Sequence, residues 1–343
     1  METTKIKKPK LRFPDFQDFW KKEPLKNLTK INQGLQIPIS QRLTEKVDNS
    51  YFYITNEFLK EASKKQYYII DPPKSVLCSE SDILMTRTGN TGMVVTNVSG
   101  AFHNNFFKIK YSDKLDKEFL FYFLTLYNTQ NLILRLAGIS TIPDLNHSDF
   151  YRIEIPFPKK QEQQKIATFL SSVDKKIDQL QKKKELLEQY KKGMMQKIFK
   201  QEIRFKDENG KNYPDWRKWR LKDLGEFKNG INKSKSDFGK GYPFINLMDV
   251  FGKNTVSNLE LGLVNVSENE RKLYNIQYGD ILFVRSSVKR EGVGLTSLIL
   301  RDFENTVYSG FLIRFRPISE LNLDYKKYCF HNPVFRRKLI ALS

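Results

Sequence analysis

The sequence predicts an α+β protein in which two similar domains are joined by a long coiled-coil helix, the second copy being incomplete. One observation behind this fold class is an internal repeat, because a series of motifs in the first half returns in the same order in the second half. Another is a heptad pattern between the two copies, which is typical of a coiled coil. Within each copy, short β-rich runs are followed by a helical stretch, which favours a mixed architecture.

The repeated unit has the size of a domain. Residues 13–16, Phe-Pro-Asp-Phe, return as residues 213–216, Tyr-Pro-Asp-Trp, and the run Asp-Ile-Leu-Met-Thr-Arg at 82–87 returns as Asp-Ile-Leu-Phe-Val-Arg at 280–285. Two more matches follow in the same order, residues 107–110 with 313–316 and residues 115–120 with 323–328. A period this long does not fit a solenoid repeat. Each copy is therefore expected to be a globular domain with its own core.

The first copy alternates short strands with turn residues. Runs rich in aromatic and β-branched residues, separated by clusters of Gly, Asn, Ser and Pro, predict strands at 51–54, 67–70, 82–85 and 93–95. A helical stretch is predicted from 116 to 136, and a further strand from 151 to 155 that Pro156 and Pro158 close.

The segment between the copies predicts a single long helix. Residues 159–200 contain no proline and one glycine, Gly193. Apolar residues recur at alternating spacings of four and three, and two gaps in the pattern hold Lys184 and Lys191. The apolar positions are Ile166, Leu170, Val173, Ile177, Leu180, Leu187, Met194 and Ile198. We interpret them as a helix-pairing or partner-binding seam, with residues 161–164 starting the polar face; a long helix packed onto its own domain is the alternative.

Composition points to a polyanionic partner. The chain of 343 residues has 59 Lys and Arg against 39 Asp and Glu, a formal net charge of +20, which favours nucleic acid as a partner; the alternative is a lysine-rich surface that is merely solvated. Two cysteines and three histidines indicate no disulfide framework and no metal site, and no cofactor is expected. Without an apolar signal segment or a run long enough to span a bilayer, a cytoplasmic protein is predicted.

Each catalytic motif that was considered lacks at least one residue that it requires. No phosphate-binding Gly-x-x-x-x-Gly-Lys-Ser/Thr loop is present. Asp71-Pro72-Pro73-Lys74 lacks the aromatic residue that an amino-methyltransferase turn needs, and Pro214-Asp215 with Glu226 imitates a nuclease pattern whose acidic residue the first copy does not have. The prediction is a binding protein without catalytic residues.

Several of these motifs together resemble the type I restriction-modification specificity subunits. The motifs are residues 12–16 with Trp20, the Asp-Ile-Leu-x-x-Arg run, the entry from Ile155-Pro156-Phe157-Pro158 into residues 161–167, and the helix segments 169–177 and 190–199. The resemblance implies two target recognition domains, each contacting one half of a bipartite site in double-stranded DNA. It also implies that the helix docks two modification subunits and that restriction subunits join the complex.

The resemblance and the repeat together suggest domain bounds. They are a basic tail at 1–11, a first recognition domain at 12–158, the helix at 159–200, a linker at 201–212 and a second recognition domain at 213–343. Residues 340–343 match residues 137–140, after which the first copy continues through its helix. The second copy is therefore expected to be truncated, which would leave the helix unpaired and available for pairing with a second chain.

Candidates for DNA contact lie in the repeated loops. Arg, Asn, Gln, Ser and Thr side chains can hydrogen-bond base edges, while Lys and Arg also bind phosphates. The candidates are Arg87, Asn90, Asn104, Asn105 and Thr141 in the first copy and Arg285, Ser286, Lys289 and Arg290 in the second. The asparagines could instead be turn formers, and the arginine that both copies keep could be structural. Two other classes stay open, a stand-alone architectural nucleic-acid-binding protein and a coiled-coil scaffold.

Overall fold

The computed structural model describes residues 4–6, 9–60, 63, 65–138, 141–256, 260–288 and 290–341. It divides into two compact units, unit 1 comprising Met1–Gln181 and unit 2 comprising Lys182–Ser343. Both mix strands and helices, as the sequence predicts. No helix in the described part of the chain is long and apolar enough to cross a bilayer.

Among its described residues, unit 1 contains three sheets and the beginning of a 40-residue helix. Its strands are β1 (Thr4–Ile6), β2 (Trp20–Pro24), β3 (Thr29–Gln33), β4 (Ser50–Ile54), β5 (Tyr68–Ile70), β6 (Leu77–Cys78), β7 (Ile83–Thr86), β8 (Val94–Val95), β9 (Gly100–Phe102), β10 (Phe106–Tyr111) and β11 (Glu154–Phe157). Its helices are α1 (Lys117–Thr125), α2 (Tyr127–Leu136), α3 (His147–Arg152) and α4 (Lys160–Phe199), which continues into unit 2. The sheet orders are β1-β2-β11, β3-β10-β7-β8 and β5-β4-β9-β6.

In the part of unit 2 that the structure describes, there are two sheets. Its helices after α4 are α5 (Leu221–Leu224), α6 (Leu247–Val250), α7 (Glu268–Leu273), α8 (Leu323–Cys329) and α9 (Pro333–Ala341). Its strands are β12 (Gly225–Asn229), β13 (Phe238–Ile245), β14 (Thr255–Val256), β15 (Gly262–Val264), β16 (Ile281–Val284), β17 (Thr296–Ile299), β18 (Val307–Tyr308) and β19 (Leu312–Pro317). The sheet orders are β12-β19-β16-β17-β14 and β15-β13-β18.

Segments that repeat in the sequence form equivalent strands in the two units. In unit 1, β10 lies between β3 and β7 and is antiparallel to both. In unit 2, β19 lies between β12 and β16 with the same orientations. The parallel pair of β4 with β9 likewise has its counterpart in β13 with β18. Residues at matching register positions can therefore be compared directly.

The helical stretch predicted at 116–136 is two helices. Asp116 caps α1, its carboxylate accepting from the Phe119 amide at 3.1 Å. Leu126 then adopts a ψ of 137°, which is incompatible with an α-helix. The break lets α1 bury Phe119 and Leu120 while α2 separately buries Ile133 in the same core.

The strand predicted at 151–155 begins later in the structure. Tyr151 and Arg152 belong to α3, which Asn146 caps by accepting from the Asp149 amide. The strand β11 then starts at Glu154 and contains Pro156. It lies at the edge of its sheet, where a missing proline N–H costs no ladder hydrogen bond.

Glu162 and Gln163 are buried, contrary to the expectation of a polar face at 161–164, whereas Gln161 and Gln164 are exposed as expected. Glu162 is 1% exposed and Gln163 is 0% exposed, because both side chains face unit 1 and find partners there. The seam is uncovered further along the helix. Ile166, Leu170, Met194 and Ile198 are partly buried, whereas Val173, Ile177, Leu180 and Leu187 are 41–56% exposed.

Candidate nucleic-acid interface

Two of the candidate loops meet in unit 1. The first loop, residues 87–92, follows β7, and the second, residues 103–105, joins β9 to β10. The Arg87 amide donates to the Asn105 carbonyl at 2.7 Å. This backbone contact fixes the position of the first loop against the second.

The segment that follows α2 joins the same cluster. The Thr91 hydroxyl donates to the Pro143 carbonyl at 2.6 Å, and the Arg87 guanidinium donates to both Asp144 carboxylate oxygens at 3.0 and 2.6 Å. Thr141 is exposed in this segment. The five candidates of the first copy, from three separate stretches of sequence, are thus brought together on one part of unit 1.

Arg87 is already occupied in this arrangement. Hydrogen bonding to Asp144 raises the pKa of the guanidinium, which therefore stays charged and paired. Both of its parallel donors are used by a single carboxylate, the strongest geometry available to arginine. Arg87 consequently holds residues 87–92 to the segment after α2.

Asn90 presents its side chain at the exposed tip of the first loop. Its φ of 68° lies in the left-handed region, which asparagine tolerates better than most residues. The loop around it is held from inside, since Thr86 Oγ1 donates to the Asn90 carbonyl at 2.6 Å and Asn56 Nδ2 donates to the Gly89 carbonyl at 2.8 Å. The Asn90 side chain is therefore exposed to solvent, while the backbone that carries it is held by hydrogen bonds.

The sequence analysis did not predict Gln33 and Gln36, whose side chains form hydrogen bonds with Asn104 at the second loop. Asn104 Nδ2 donates to Gln36 Oε1 at 2.8 Å, and Gln33 Nε2 donates to the Asn104 carbonyl at 3.3 Å. The buried Asn104 Oδ1 has no hydrogen-bond partner in the structure. A signal was present in Gly34, whose missing side chain lets the end of β3 approach the His103 carbonyl, 2.3 Å from where a Cβ would stand.

The candidates of the second copy lie in a longer loop, residues 285–294. The Arg285 amide donates to the Phe311 carbonyl at 2.8 Å, the counterpart of the Arg87 contact. Arg285 and Ser286 are exposed, and the Arg285 guanidinium makes one long contact of 3.4 Å to the Gly310 carbonyl. Arg290 is exposed and donates to the Ile340 carbonyl at 3.2 Å. Lys289 lies outside the described residues.

Some of the positively charged side chains are buried and hydrogen-bonded inside the two units. Lys108 on β10 is 7% exposed and donates to the Leu77 carbonyl at 2.6 Å. At the matching position of β19, Arg314 is 6% exposed and contacts Asn275. These buried cations cannot meet a polyanion. Across the described residues, no group of three or more His, Cys, Asp or Glu side chains is arranged to hold a metal ion.

The start of α4 is attached to unit 1 by polar side chains. Arg12 donates to both oxygens of Glu162 at 2.7 and 2.6 Å, and Trp20 Nε1 donates to the same carboxylate at 3.3 Å. Gln163 accepts from the Asp116 amide at 2.8 Å and donates to two carbonyl oxygens, those of Lys114 and Pro158. Motif residues at the start of the chain and at the helix entry thus meet directly.

Comparison with known proteins identifies the family. The model of the type I restriction modification DNA specificity domain matches residues 17–189, just over half of the chain. The chain belongs to this family. The matched region contains the loop cluster of unit 1 and the first three quarters of α4.

Curated members of the family are similar over part of their length. The type I restriction enzyme MjaVIII specificity subunit of Methanocaldococcus jannaschii is 29% identical over 201 residues, which cover 57% of this chain and 47% of the relative. The type I restriction enzyme EcoKI specificity subunit of Escherichia coli K12 is 25% identical over 62% of this chain and 47% of its own length. The chain thus spans about half the length of these curated relatives.

Solved structures of the family share the fold. The S subunit of the type I restriction-modification system from M. genitalium aligns with a TM-score of 0.55 and 18% identity, covering 97% of this chain and 81% of that one. A chain from a structural study of complex assembly in the type I R-M system aligns with a TM-score of 0.54 and 17% identity, covering 93% and 81%.

Proposed function

We propose that this chain is the DNA sequence-recognition subunit of a type I restriction-modification complex. In this proposal residues 12–158 and 213–343 are two target recognition domains, each contacting one half of a bipartite site in duplex DNA. Residues 159–200 form the spacer helix, 201–212 the linker and 1–11 a basic tail.

The observation that carries the proposal is that polar side chains from separate segments lie on neighbouring loops of unit 1. Asn90, Gln36 and Thr141 are exposed, and the partly buried Asn104 amide is hydrogen-bonded to Gln36. Asparagine and glutamine pair with adenine edges, and threonine pairs with several bases. Arg87, bound by Asp144, acts in this proposal as the residue that positions the loop.

In unit 2 the corresponding contacts come from Ser286, Lys289 and Arg290, with Arg285 at the base of the loop. Cationic side chains of such a loop bind phosphates and fix the register of the protein on the duplex. The formal net charge of +20 supplies the general attraction.

Chemistry is assigned to partners in this proposal. The chain itself transfers no methyl group and cuts no DNA; two modification subunits dock on α4 and restriction subunits join the complex. The exposed seam at Val173, Ile177, Leu180 and Leu187 is the docking surface, since an apolar helix stripe is stabilised by burial. A second copy of α4, paired antiparallel, would bury the same stripe.

Selection of bound duplexes from a random library tests the recognition. The complex with modification subunits should enrich one bipartite sequence, with an affinity that falls steeply as salt rises. Asn104→Ala or Gln36→Ala should weaken binding to the enriched duplex about five- to 150-fold, which corresponds to roughly 1–3 kcal/mol per lost base contact. Gln164→Ala, an exposed amide on α4, is the matched control. Salt-insensitive binding, or unchanged sequence preference in both loop variants, would contradict the proposal.

Reconstitution tests the division of labour. The isolated chain should not methylate DNA, and addition of its modification subunits should confer methylation at the selected sequence. Ile177→Asp should abolish this docking, whereas Lys176→Asp, a neighbouring exposed position, should not. Site-specific methylation by the isolated chain would rule out a purely recognising subunit.

A further inference from the structure

The loop that joins β18 to β19 in unit 2, residues 309–311, matches the second loop of unit 1 in its backbone. It lies between the same two strands of the repeat as the loop from β9 to β10. The Arg285 amide donates to the Phe311 carbonyl at 2.8 Å, and the Arg87 amide donates to the Asn105 carbonyl at 2.7 Å. Each loop is therefore fixed to the strand that carries the repeated arginine.

Further contacts inside the two loops also repeat. The Phe311 amide donates to Ser309 Oγ at 3.3 Å, and the Asn105 amide donates to His103 Nδ1 at 3.1 Å. The first residue of each loop also forms a parallel bridge to the residue two positions beyond the end of the edge strand, β12 or β3. The two loops thus follow the same path, and their side chains are what differs.

The side chains at the tips of the two loops have different chemistry. Unit 1 has Asn104 and Asn105, whereas unit 2 has Gly310 and Phe311 at the matching positions. The Phe311 side chain is 54% exposed, although its amide and carbonyl are both hydrogen-bonded. An apolar ring on an ordered backbone here replaces an amide that could hydrogen-bond a base edge. This position of unit 2 can therefore contact a base only by apolar packing.

The missing side chain of Gly310 makes room for an amide from another segment. A Cβ on Gly310 would collide with Asn232 Oδ1, so the Asn232 carboxamide lies against the backbone next to Phe311. Asn232 is exposed and follows β12 by three positions, as Gln36 follows β3. The Arg285 guanidinium contacts the Gly310 carbonyl at 3.4 Å. An amide and a cation thus lie on either side of the residue that precedes the exposed ring.

We propose that this loop of unit 2 recognises thymine by its 5-methyl group, which packs against the ring of Phe311. Thymine alone among the four bases presents a methyl group in the major groove, and phenylalanine contacts it by apolar packing. The Asn232 amide pairs with the N6 and N7 edge of an adenine in the same or the adjoining base pair. Arg285 binds a phosphate beside it. This assignment rests on DNA recognition by unit 2 and adds which base its loop selects.

Replacing thymine by deoxyuridine in the enriched duplex tests the methyl contact. Deoxyuridine keeps every hydrogen-bonding group of thymine and lacks only the methyl group. At one thymine, the replacement should weaken binding by the complex with modification subunits about three- to fivefold, as expected for one buried methyl group. 5-Bromodeoxyuridine at that position should bind as thymine does, because its bromine fills the space of the methyl group.

Variants of the loop assign the contact to Phe311. Phe311→Ala should bind the thymine and deoxyuridine duplexes equally. So should Phe311→Asn, which places the residue of unit 1 on the same backbone and therefore keeps the fold. Phe205→Ala removes a side chain that is 68% exposed elsewhere in the chain and should retain the preference.

The adenine contact of Asn232 has its own probe. 7-Deazaadenine lacks the N7 acceptor and should weaken binding of the parent complex at one adenine beside the sensitive thymine. Asn232→Ala should abolish this effect and keep the preference for the methyl group. A variant that stays sensitive to 7-deazaadenine would contradict the adenine contact.

Three outcomes would overturn the recognition of thymine. A preferred duplex in which every thymine tolerates deoxyuridine would do so and leave DNA recognition intact, whereas the absence of any preferred duplex would remove both proposals. Deoxyuridine sensitivity that survives Phe311→Ala at every thymine would assign the methyl contact to another residue. A rise in 2-aminopurine fluorescence beside the sensitive thymine would show that the ring is wedged between base pairs instead.

Discussion

The two ends of α4 are fixed to their own units by different chemistry. At its beginning, Glu162 and Gln163 are buried and make directional hydrogen bonds to unit 1. At its end, Phe199 packs against Trp216 and Tyr325 of unit 2 at ring distances of 6.0 and 6.2 Å.

The two ends differ in how strictly their contacts fix the geometry of the attachment. A buried carboxylate or amide has few acceptable geometries, since an unmet partner costs the full desolvation of that group. Aromatic rings that remain 42% exposed at Trp216 and 45% exposed at Tyr325 lose less when they shift. The attachment at the beginning of α4 is therefore the one with the more narrowly defined geometry.

Removing the carboxylate at the beginning should give the largest effect. Glu162→Ala leaves the buried Arg12 guanidinium and Trp20 Nε1 without their acceptor. We expect the largest drop in the urea midpoint of unit 1 in this series, together with faster hydrogen exchange in β2. Glu188→Ala, at an exposed position of the same helix, is the control. Equal midpoints for the two variants would mean that the ion pair does not fix the helix.

The amide at the neighbouring position should come next. Gln163→Ala removes three hydrogen bonds from a fully buried site and should lower the free energy of unfolding of unit 1 by about 3 kcal/mol. Gln164→Ala changes the same side chain at an exposed position and should be neutral. Chemical denaturation followed by hydrogen exchange in β2 compares the two; similar losses would contradict the assignment of these bonds.

The aromatic end should respond more weakly. Trp216→Ala removes the ring contacts with Phe199 and Tyr325 and should cost about 1–2 kcal/mol in unit 2. Tyr190→Ala, an isolated exposed aromatic on α4, should cost almost nothing. Thermal unfolding measures both. A loss at Trp216 as large as that at Glu162 would erase the difference between the two ends.

The smallest expected effect is a dependence on alkaline pH at the aromatic end. Burial raises the pKa of the Tyr325 hydroxyl above its ordinary value. The folded state therefore binds this proton more tightly than the unfolded state. The contribution of the protonated Tyr325 hydroxyl to the free energy of unfolding is intact below about pH 10. It is lost as the pH rises from there through the pKa of the folded state. Unfolding from pH 8 to 11 should show a steeper loss for the parent chain than for Tyr325→Phe; parallel curves would exclude the effect.

Local patterns predicted several of the elements. The β-rich runs at 51–54 and 82–85 became β4 and β7, and the proline-free stretch at 159–200 became α4. The heptad positions in the middle of the helix, around Ile177, are exposed, and their pairing with another helix or a partner stays a prediction. These features depend on neighbours within a few turns or residues, which a sequence displays.

Contacts between distant segments could not be predicted in the same way. Glu162 and Gln163 look like surface residues because their partners, such as Arg12, lie far away in the chain. Asn104 and Asn105, which were predicted as DNA contacts, lie in the loop between β9 and β10, but the pairing of Asn104 with Gln36 arises only when β3 and β10 come together. The role of Arg87 as a tether likewise depends on Asp144.

The pairing of Arg12 with Glu162 has a consequence for synthesis of the protein. The two residues are 150 positions apart, and β2 completes its sheet only when β11 arrives. Contacts of such separation form late, since the chain between them must first lose its freedom. On the ribosome, unit 1 cannot close until the first turn of α4 has emerged from the exit tunnel. Until then its unfinished core is exposed to chaperones and to aggregation.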